Sequence, residues 1–299
     1  MIPLFDLHCD TLLSLYKEKY TLDSSTLHIS NHKTSNFSPY TQVMAIWSDC
    51  RLSSEDAYKQ YKNVVEYAKE LNINFARKFT DMLNGGKILA IDDGRIFEND
   101  ISRLEEFKND GVKIITLSWS GENQLCGSWD TKSSLTAFGS EFIKKCFELS
   151  IIPDISHTSV EATRNAIELA RKCNKTIIAS HSNSYSVCKH NRNLRDDAFL
   201  AICELGGIVG ISLAPQHLEI NGKATIKSIL KHIYHYLSLG GENTVCLGCD
   251  FDGVSSLPDG INNISDLTKL YSEIKAEFGT EIADKIFYHN AYNYFKNNF

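Results

Sequence analysis

The sequence carries no block or stripe of basic residues: 31 Lys and Arg stand against 37 Asp and Glu, for a formal net charge of −6. A protein that neutralises a phosphate backbone needs such a stripe, so nucleic acid is not an expected partner. No apolar run approaches the ~20 residues that cross a bilayer, and no membrane partner is expected. The opening residues, Met1-Ile2-Pro3-Leu4-Phe5-Asp6-Leu7-His8, show no basic region, apolar stretch or cleavage site, which gives secretion no support. The nine cysteines form no CxxC pair. That scatter suits free thiols in a reducing compartment, and the cytoplasm is the expected location. Cys246 and Cys249 stand three apart on one predicted strand, so they face opposite ways and do not make a ligand pair.

What the chain does have is repetition. With 42% apolar residues it is of ordinary globular composition, and at this length it can bury roughly three quarters of its unfolded surface. Eight short apolar runs read as strands: Pro3–Cys9, Thr41–Trp47, Lys87–Ile91, Val112–Trp119, Ile151–Ser156, Thr176–Ser180, Gly207–Leu213 and Val245–Cys249. Helical periodicity fills the intervals. Tyr58, Tyr61, Val64, Val65, Ala68 and Leu71 form one stripe behind Ser53 or Ser54 as N-cap. Ile226, Ile229, Leu230, Ile233 and Leu237 form another, stopped by Gly240-Gly241. Alternation of strand and helix implies parallel pairing, and eight such units predict a single (β/α)8 TIM-type barrel domain over residues 1–299. An open doubly wound sheet would show a glycine-rich phosphate loop after the first strand. His8-Cys9-Asp10-Thr11 is not one. The polar stretch Ser24–Ser38 is the longest loop candidate, and long loops are often functional.

Reactive groups of such barrels gather where strands end. Strand one ends in His8-Cys9-Asp10, whose period of two puts His8 and Asp10 on one side. Strand three ends in Asp92-Asp93-Gly94, strand five in Asp154-Ile155-Ser156-His157, strand six in Ser180-His181-Ser182, and strand eight in Cys249-Asp250-Phe251-Asp252-Gly253. A lone His at a strand end is more often structural, and Asp before Gly usually marks a turn. Convergence of three imidazoles and several carboxylates at similar positions of a repeating unit points instead to a metal site of zinc type. Trp119, at the end of strand four, is read as a pocket wall. His28, His32, His190, His217, His232, His235 and His289 sit away from strand ends and are read as surface or helix residues.

Taken in order, these motifs resemble the membrane (renal) dipeptidase family of zinc peptidases over nearly the whole chain. The first metal strand looks like Asp6-Leu7-His8-Cys9-Asp10. The histidine strands look like Ile152-Pro153-Asp154-Ile155-Ser156-His157 and Ser180-His181-Ser182. The segment from His190 to Asp197 is similar to the family's H-x-R-N-x-x-D run, and Gly206–Gly210 and Leu247–Gly253 also fit. The resemblance implies two zinc ions, one on His8 and Asp10 and one on His157 and His181, bridged by a strand-three carboxylate. It further implies Asp250 as general acid/base and Arg192, with neighbouring Asn193 and Trp119, as substrate-binding residues for a small peptide; a homodimer is suggested by the resemblance alone.

Two departures stand out. The family's bridging Glu is matched by Asp92, whose side chain reaches ~1–1.5 Å less far where metal–oxygen distances hold near ~2.0–2.2 Å. That predicts a shifted site, a weakly held second ion or a different metal. Asp93, by strand alternation, points outward. Trp119 stands where many members carry a substrate-facing His, which predicts altered specificity. The expected reaction is hydrolysis of dipeptides, L,D-dipeptides included, by a metal-activated water with Asp250 moving the proton. Arg192 offers a planar fork to a free C-terminal carboxylate, against the alternative of a surface ion pair with Asp196 or Asp197. Two other readings stay open: another amidohydrolase-type reaction on an N-acyl amino acid or lactone, or a barrel impaired through Asp92.

Overall fold

The computed structural model describes residues 1–24 and 26–299. Seven parallel strands form the sheet: β1 (Ile2–Asp6), β2 (Phe37–Trp47), β3 (Ile88–Asp92), β4 (Val112–Thr116), β5 (Ile152–Asp154), β6 (Val209–Ile211) and β7 (Val245–Leu247). Their order is β5-β4-β3-β2-β1-β7-β6, with helices in the crossovers. The two edge strands meet through Ile178 and Ala179, which bridge to Asp154 and Val209 respectively. Ile155 N–H donates to the Ile178 carbonyl at 2.9 Å and Gly210 N–H to the Ala179 carbonyl at 2.8 Å. The α/β barrel is closed by this link.

The sixth of the eight expected strands, at Thr176–Ser180, is therefore reduced to two bridging residues. The reason lies in what satisfies the next backbone groups. Ser180 N–H donates to Asp154 Oδ1 at 2.9 Å and His181 N–H to Ser156 Oγ at 3.1 Å, so side chains replace the ladder. The segment also runs close over its neighbours. A Cβ on Gly210 or on Gly248 would overlap the Ser180 carbonyl oxygen. Other strands stop short of their expected ends, at Asp6, Thr116 and Leu247. His157, Asp250 and Asp252 have φ of 70°, 64° and 62°, left-handed values rare for residues with a side chain. β2 begins at Phe37, earlier than expected, and absorbs the end of the Ser24–Ser38 loop.

Helix boundaries follow their chemistry. Ser53 caps the helix Ser54–Glu70, its Oγ accepting from Asp56 N–H at 3.1 Å, and Ala57, Tyr61, Val64, Val65 and Ala68 are buried beneath it. The helix Ile226–Ser238 ends before Gly240, whose φ of 87° suits only a residue without Cβ. Its buried face includes His232, which accepts from Ser184 N–H at 3.0 Å and pairs with the Leu218 carbonyl.

Period-two alternation sorts the strand residues into two cores. Met44, Ile46, Leu89 and Ile91 pack with the helices. Phe5, Val43, Ala45, Ile88, Ala90, Ile114 and Ile178 form a second cluster inside the barrel, floored by Ala291, Tyr294 and Phe295 of the helix Asn290–Asn298. Trp47 and Asp92 continue the inward parity to the upper ends of β2 and β3. Cys246 and Cys249 fall in different clusters, as their spacing predicts, and all nine cysteines are free. Among the described residues no helix is long and apolar enough to cross a membrane.

Gly210→Ala is expected to destabilise the fold by about 1–3 kcal/mol or more through overpacking, read as a lower denaturation midpoint. A midpoint equal to wild type would show that the closing segment yields freely.

Candidate metal centre

The shortened strands deliver their ligand-type side chains to one place. His8 Nε2 lies 3.7 Å from Asp10 Oδ2 and 4.0 Å from Asp250 Oδ1. The His8 and His181 rings stack at 3.7 Å, and His157 and His181 bring their Nε2 atoms to 2.9 Å. Three groups of ligand atoms each fall within 4.8 Å: His8 with Asp10 and Asp92, Asp92 with His157 and His181, and His8 with His181 and Asp250. All six residues are thus brought together. Asp92 belongs to two of the groups despite its short side chain.

Several of these atoms are buried without a hydrogen-bond partner: His8 Nε2, Asp10 Oδ1, Asp92 Oδ1 and His157 Nδ1. Orphaned buried polar atoms are costly, and here they are ligand atoms of types that hold zinc. The residues present fit a metal pair. Electrostatics says the same. Burial raises the Asp92 carboxyl well above the usual range, with Asp10, Asp154 and Asp250 adding to the rise. Burial, Asp10 and Asp6 lift Asp250 to about 7. Burial would lower His8, but the Asp10 carboxylate beside it and the charges of Asp92 and Asp250 raise it to about 10. Burial, together with nearby positive groups including Arg192, pushes His157 and His181 well below their usual value. Added positive charge would favour the ionised forms of Asp92 and Asp250, and the two low imidazoles keep lone pairs to offer.

Around this cluster the neighbours set orientation. Asp154 does not face it. Its Oδ1 accepts from the backbone N–H groups of Ser156 and Ser180, and its Oδ2 from Thr116 and Ser180 hydroxyls. Having given its only hydrogen to Asp154, Ser180 Oγ can only accept from His181 Nδ1, 2.7 Å away. The chain Asp154–Ser180–His181 thereby keeps the His181 Nε2 lone pair free. Gly253 is pressed against the cluster, where a Cβ would collide with Asp10 Oδ2 and Asp250 Oδ1.

Arg192 is buried, with Nη1 donating to Ser182 Oγ at 3.0 Å and Nη2 to the His181 carbonyl at 2.9 Å, while its Nε has no partner. Burial lowers its pKa to about 10, so it stays charged at neutral pH. The surface ion pair considered for it does not form. Asp197 pairs with Arg164 and Asp196 with His235, leaving Arg192 for the interior. Asn193 gives its amide hydrogens to backbone carbonyls, Cys188 and His217 at 2.8 Å each, and its Oδ1 is unpartnered. Asp93, turned away as alternation requires, accepts from Arg95 and Asn123.

A cavity of about 260 Å³ opens beside Asp10, Asp92, His157 and Asp250, walled by Trp47 and Trp119. The two indoles meet edge to face at 4.9 Å. Trp47 went unnoticed in the sequence, although the inward parity of Val43 and Ala45 points to it. His28 was also passed over as surface. Its N–H donates to Asp252 Oδ1 at 2.6 Å and its Nδ1 accepts from Asp252 N–H at 2.9 Å, pinning the polar loop to the cavity rim. His217 likewise is no surface residue; burial and Arg192 depress it to about 2. No local pattern marks either, because both partners lie far off in sequence.

The model of the membrane dipeptidase family, peptidase family M19, matches residues 1–297. The chain belongs to this family. It is accordingly a metal-dependent dipeptidase by class, and the (β/α)8 reading of the fold agrees with its relatives. An uncharacterized protein in the pqqA 5′ region of Klebsiella pneumoniae is 30% identical over 214 residues, covering 67% of this chain and 78% of that one. A metallo peptidase from Rhodobacter sphaeroides, solved with a phosphinate mimic of L-Ala-D-Ala, superposes with a TM-score of 0.91 at 20% identity, covering 100% of this chain and 99% of that one. A dipeptidase called AC gives a TM-score of 0.89 at 22% identity, covering 99% and 98%.

Asp154→Asn removes an acceptor that four donors share, and affinity for added zinc is expected to fall about 10- to 100-fold. Competition against a coloured chelator measures it, with circular dichroism to check folding; an unchanged affinity in a folded variant would discard the relay.

Proposed function

We propose that this chain hydrolyses dipeptides, L,D-dipeptides included, with two zinc ions held by His8, Asp10, Asp92, His157 and His181. The observation that carries the reading is the set of buried, partnerless ligand atoms on His8, Asp10, Asp92 and His157. His8 and Asp10 would hold one ion, His157 and His181 the other. Asp92, the residue common to both groups, would bridge them. When bound, the metal pair supplies Lewis acidity, lowering the pKa of a water and drawing charge from the scissile carbonyl.

The protein's own groups do the rest. Asp250, raised to about 7 by burial and its carboxylate neighbours, is matched to taking a proton at neutral pH and passing it to the departing amine. Arg192, buried and without a carboxylate partner, would bind the free C-terminal carboxylate through its unused donor capacity and fix the peptide's direction. Trp47 and Trp119 would exclude water from the cavity. The inclusion of L,D-dipeptides is supported by the ligand of the Rhodobacter protein, a mimic of L-Ala-D-Ala. We place the enzyme in the cytoplasm on its free cysteines, acting as a single barrel domain.

Turnover of L-Ala-D-Ala by the zinc-loaded protein is expected to vanish with chelator and return with zinc; no turnover on any L,L or L,D dipeptide would sink the reading. Asp250→Asn should lower kcat by about 10²-fold or more with zinc content unchanged. Arg192→Ala should lower kcat/KM on free dipeptides by about 2–4 kcal/mol in ΔΔG‡ and leave C-terminal amides nearly unaffected, an equal loss on both arguing against the clamp. Asp92→Glu should hold the second zinc at least as tightly; loss of that zinc would exclude the bridge.

A further inference from the structure

We infer that Lys17 selects dipeptides whose N-terminal residue carries a side-chain carboxylate, an inference that rests on the dipeptidase reading above. The helix Thr11–Glu18 follows β1 directly, and Asp10, Leu13, Ser14 and Lys17, spaced three and four apart, put one face of it on the cavity. Lys17 is the one cation among the residues lining that cavity. Its Nζ lies 5.6 Å from the centre of the Trp47 ring, and it has no ion-pair partner among the described residues. The nearby carboxylate of Asp49 is taken by Arg51 at 2.5 Å.

The other charges of the cavity are committed. Asp10 and Asp92 are assigned to metal and Asp250 to the proton. Asp252 accepts from His28 N–H at 2.6 Å and from the Thr11 hydroxyl at 2.7 Å. The Trp47 Nε1–H, buried in the wall, has no acceptor in the protein. An aromatic wall with an unmet N–H donor and an unpaired ammonium at the rim suits an aliphatic stem ending in a carboxylate. His157 borders this cavity and also the narrower one that holds Arg192. With the C-terminal carboxylate on Arg192, the side of the centre facing Lys17 receives the N-terminal residue.

The test is kcat/KM of the zinc-loaded enzyme on Glu-Ala, Gln-Ala, Lys-Ala and Ala-Ala, for wild type, Lys17→Ala and Lys17→Glu. Glu-Ala is expected to exceed Gln-Ala about five-fold in wild type, a preference that shrinks as salt is added. The ratio should fall to about one in Lys17→Ala and invert toward Lys-Ala in Lys17→Glu. Equal rates on Glu-Ala and Gln-Ala in wild type, with Ala-Ala turned over, would overturn the inference and leave the dipeptidase standing. A uniform loss on all four substrates in Lys17→Ala would also overturn it. Absence of turnover on every dipeptide would remove both readings together.

Discussion

The buried carboxylate of Asp154 is the interaction on which the rest of the site depends. It accepts from the backbone of Ser180 and from its hydroxyl, and so holds the segment that closes the barrel where a strand would otherwise run. The same three residues, Ser180 to Ser182, then carry the consequences outward. Ser180 orients the His181 imidazole, while the His181 carbonyl and Ser182 hydroxyl hold the Arg192 guanidinium. One carboxylate thus couples closure of the sheet, the aim of the His181 imidazole and the position of the Arg192 guanidinium. Its desolvation is offset by four donors rather than by a counter-ion.

A second constraint is electrostatic. Asp10, Asp92 and Asp250 crowd around His8, and carboxylates gathered in this way repel one another. The left-handed backbone at His157, Asp250 and Asp252 adds strain at the same place. Such strain persists where the surroundings over-determine it, here by the bonds of Asp252 to His28 and Thr11 and the tight fit of Gly253.

Much of this was legible in the sequence, for identifiable reasons. Strand runs and helix stripes follow burial, so their number and type could be read from apolar periodicity. His8, Asp10, Asp92, His157, His181 and Asp250 stood out because polar residues ended otherwise apolar runs. The sixth expected strand misled because Ile177, Ile178 and Ala179 are as buried as any strand, while the next backbone N–H groups, of Ser180 and His181, go to side chains that composition does not reveal. His28, His217 and Asp154's true orientation escaped because they are settled by partners tens to hundreds of residues away. Arg192 had a local alternative in Asp196 and Asp197, and only the packed structure removes it.

The floor of the barrel interior comes from the helix Asn290–Asn298, which is separated by the whole length of the chain from Phe5, the residue it stacks on at 5.1 Å. During synthesis the lining of the interior is therefore present long before its cover. A nascent barrel shows the apolar faces of β1 to β7 at its lower mouth until that helix leaves the ribosome. The candidate metal centre lies at the opposite mouth, so a product clipped within this helix would keep every candidate ligand and lose the layer that keeps water and other chains out of its core.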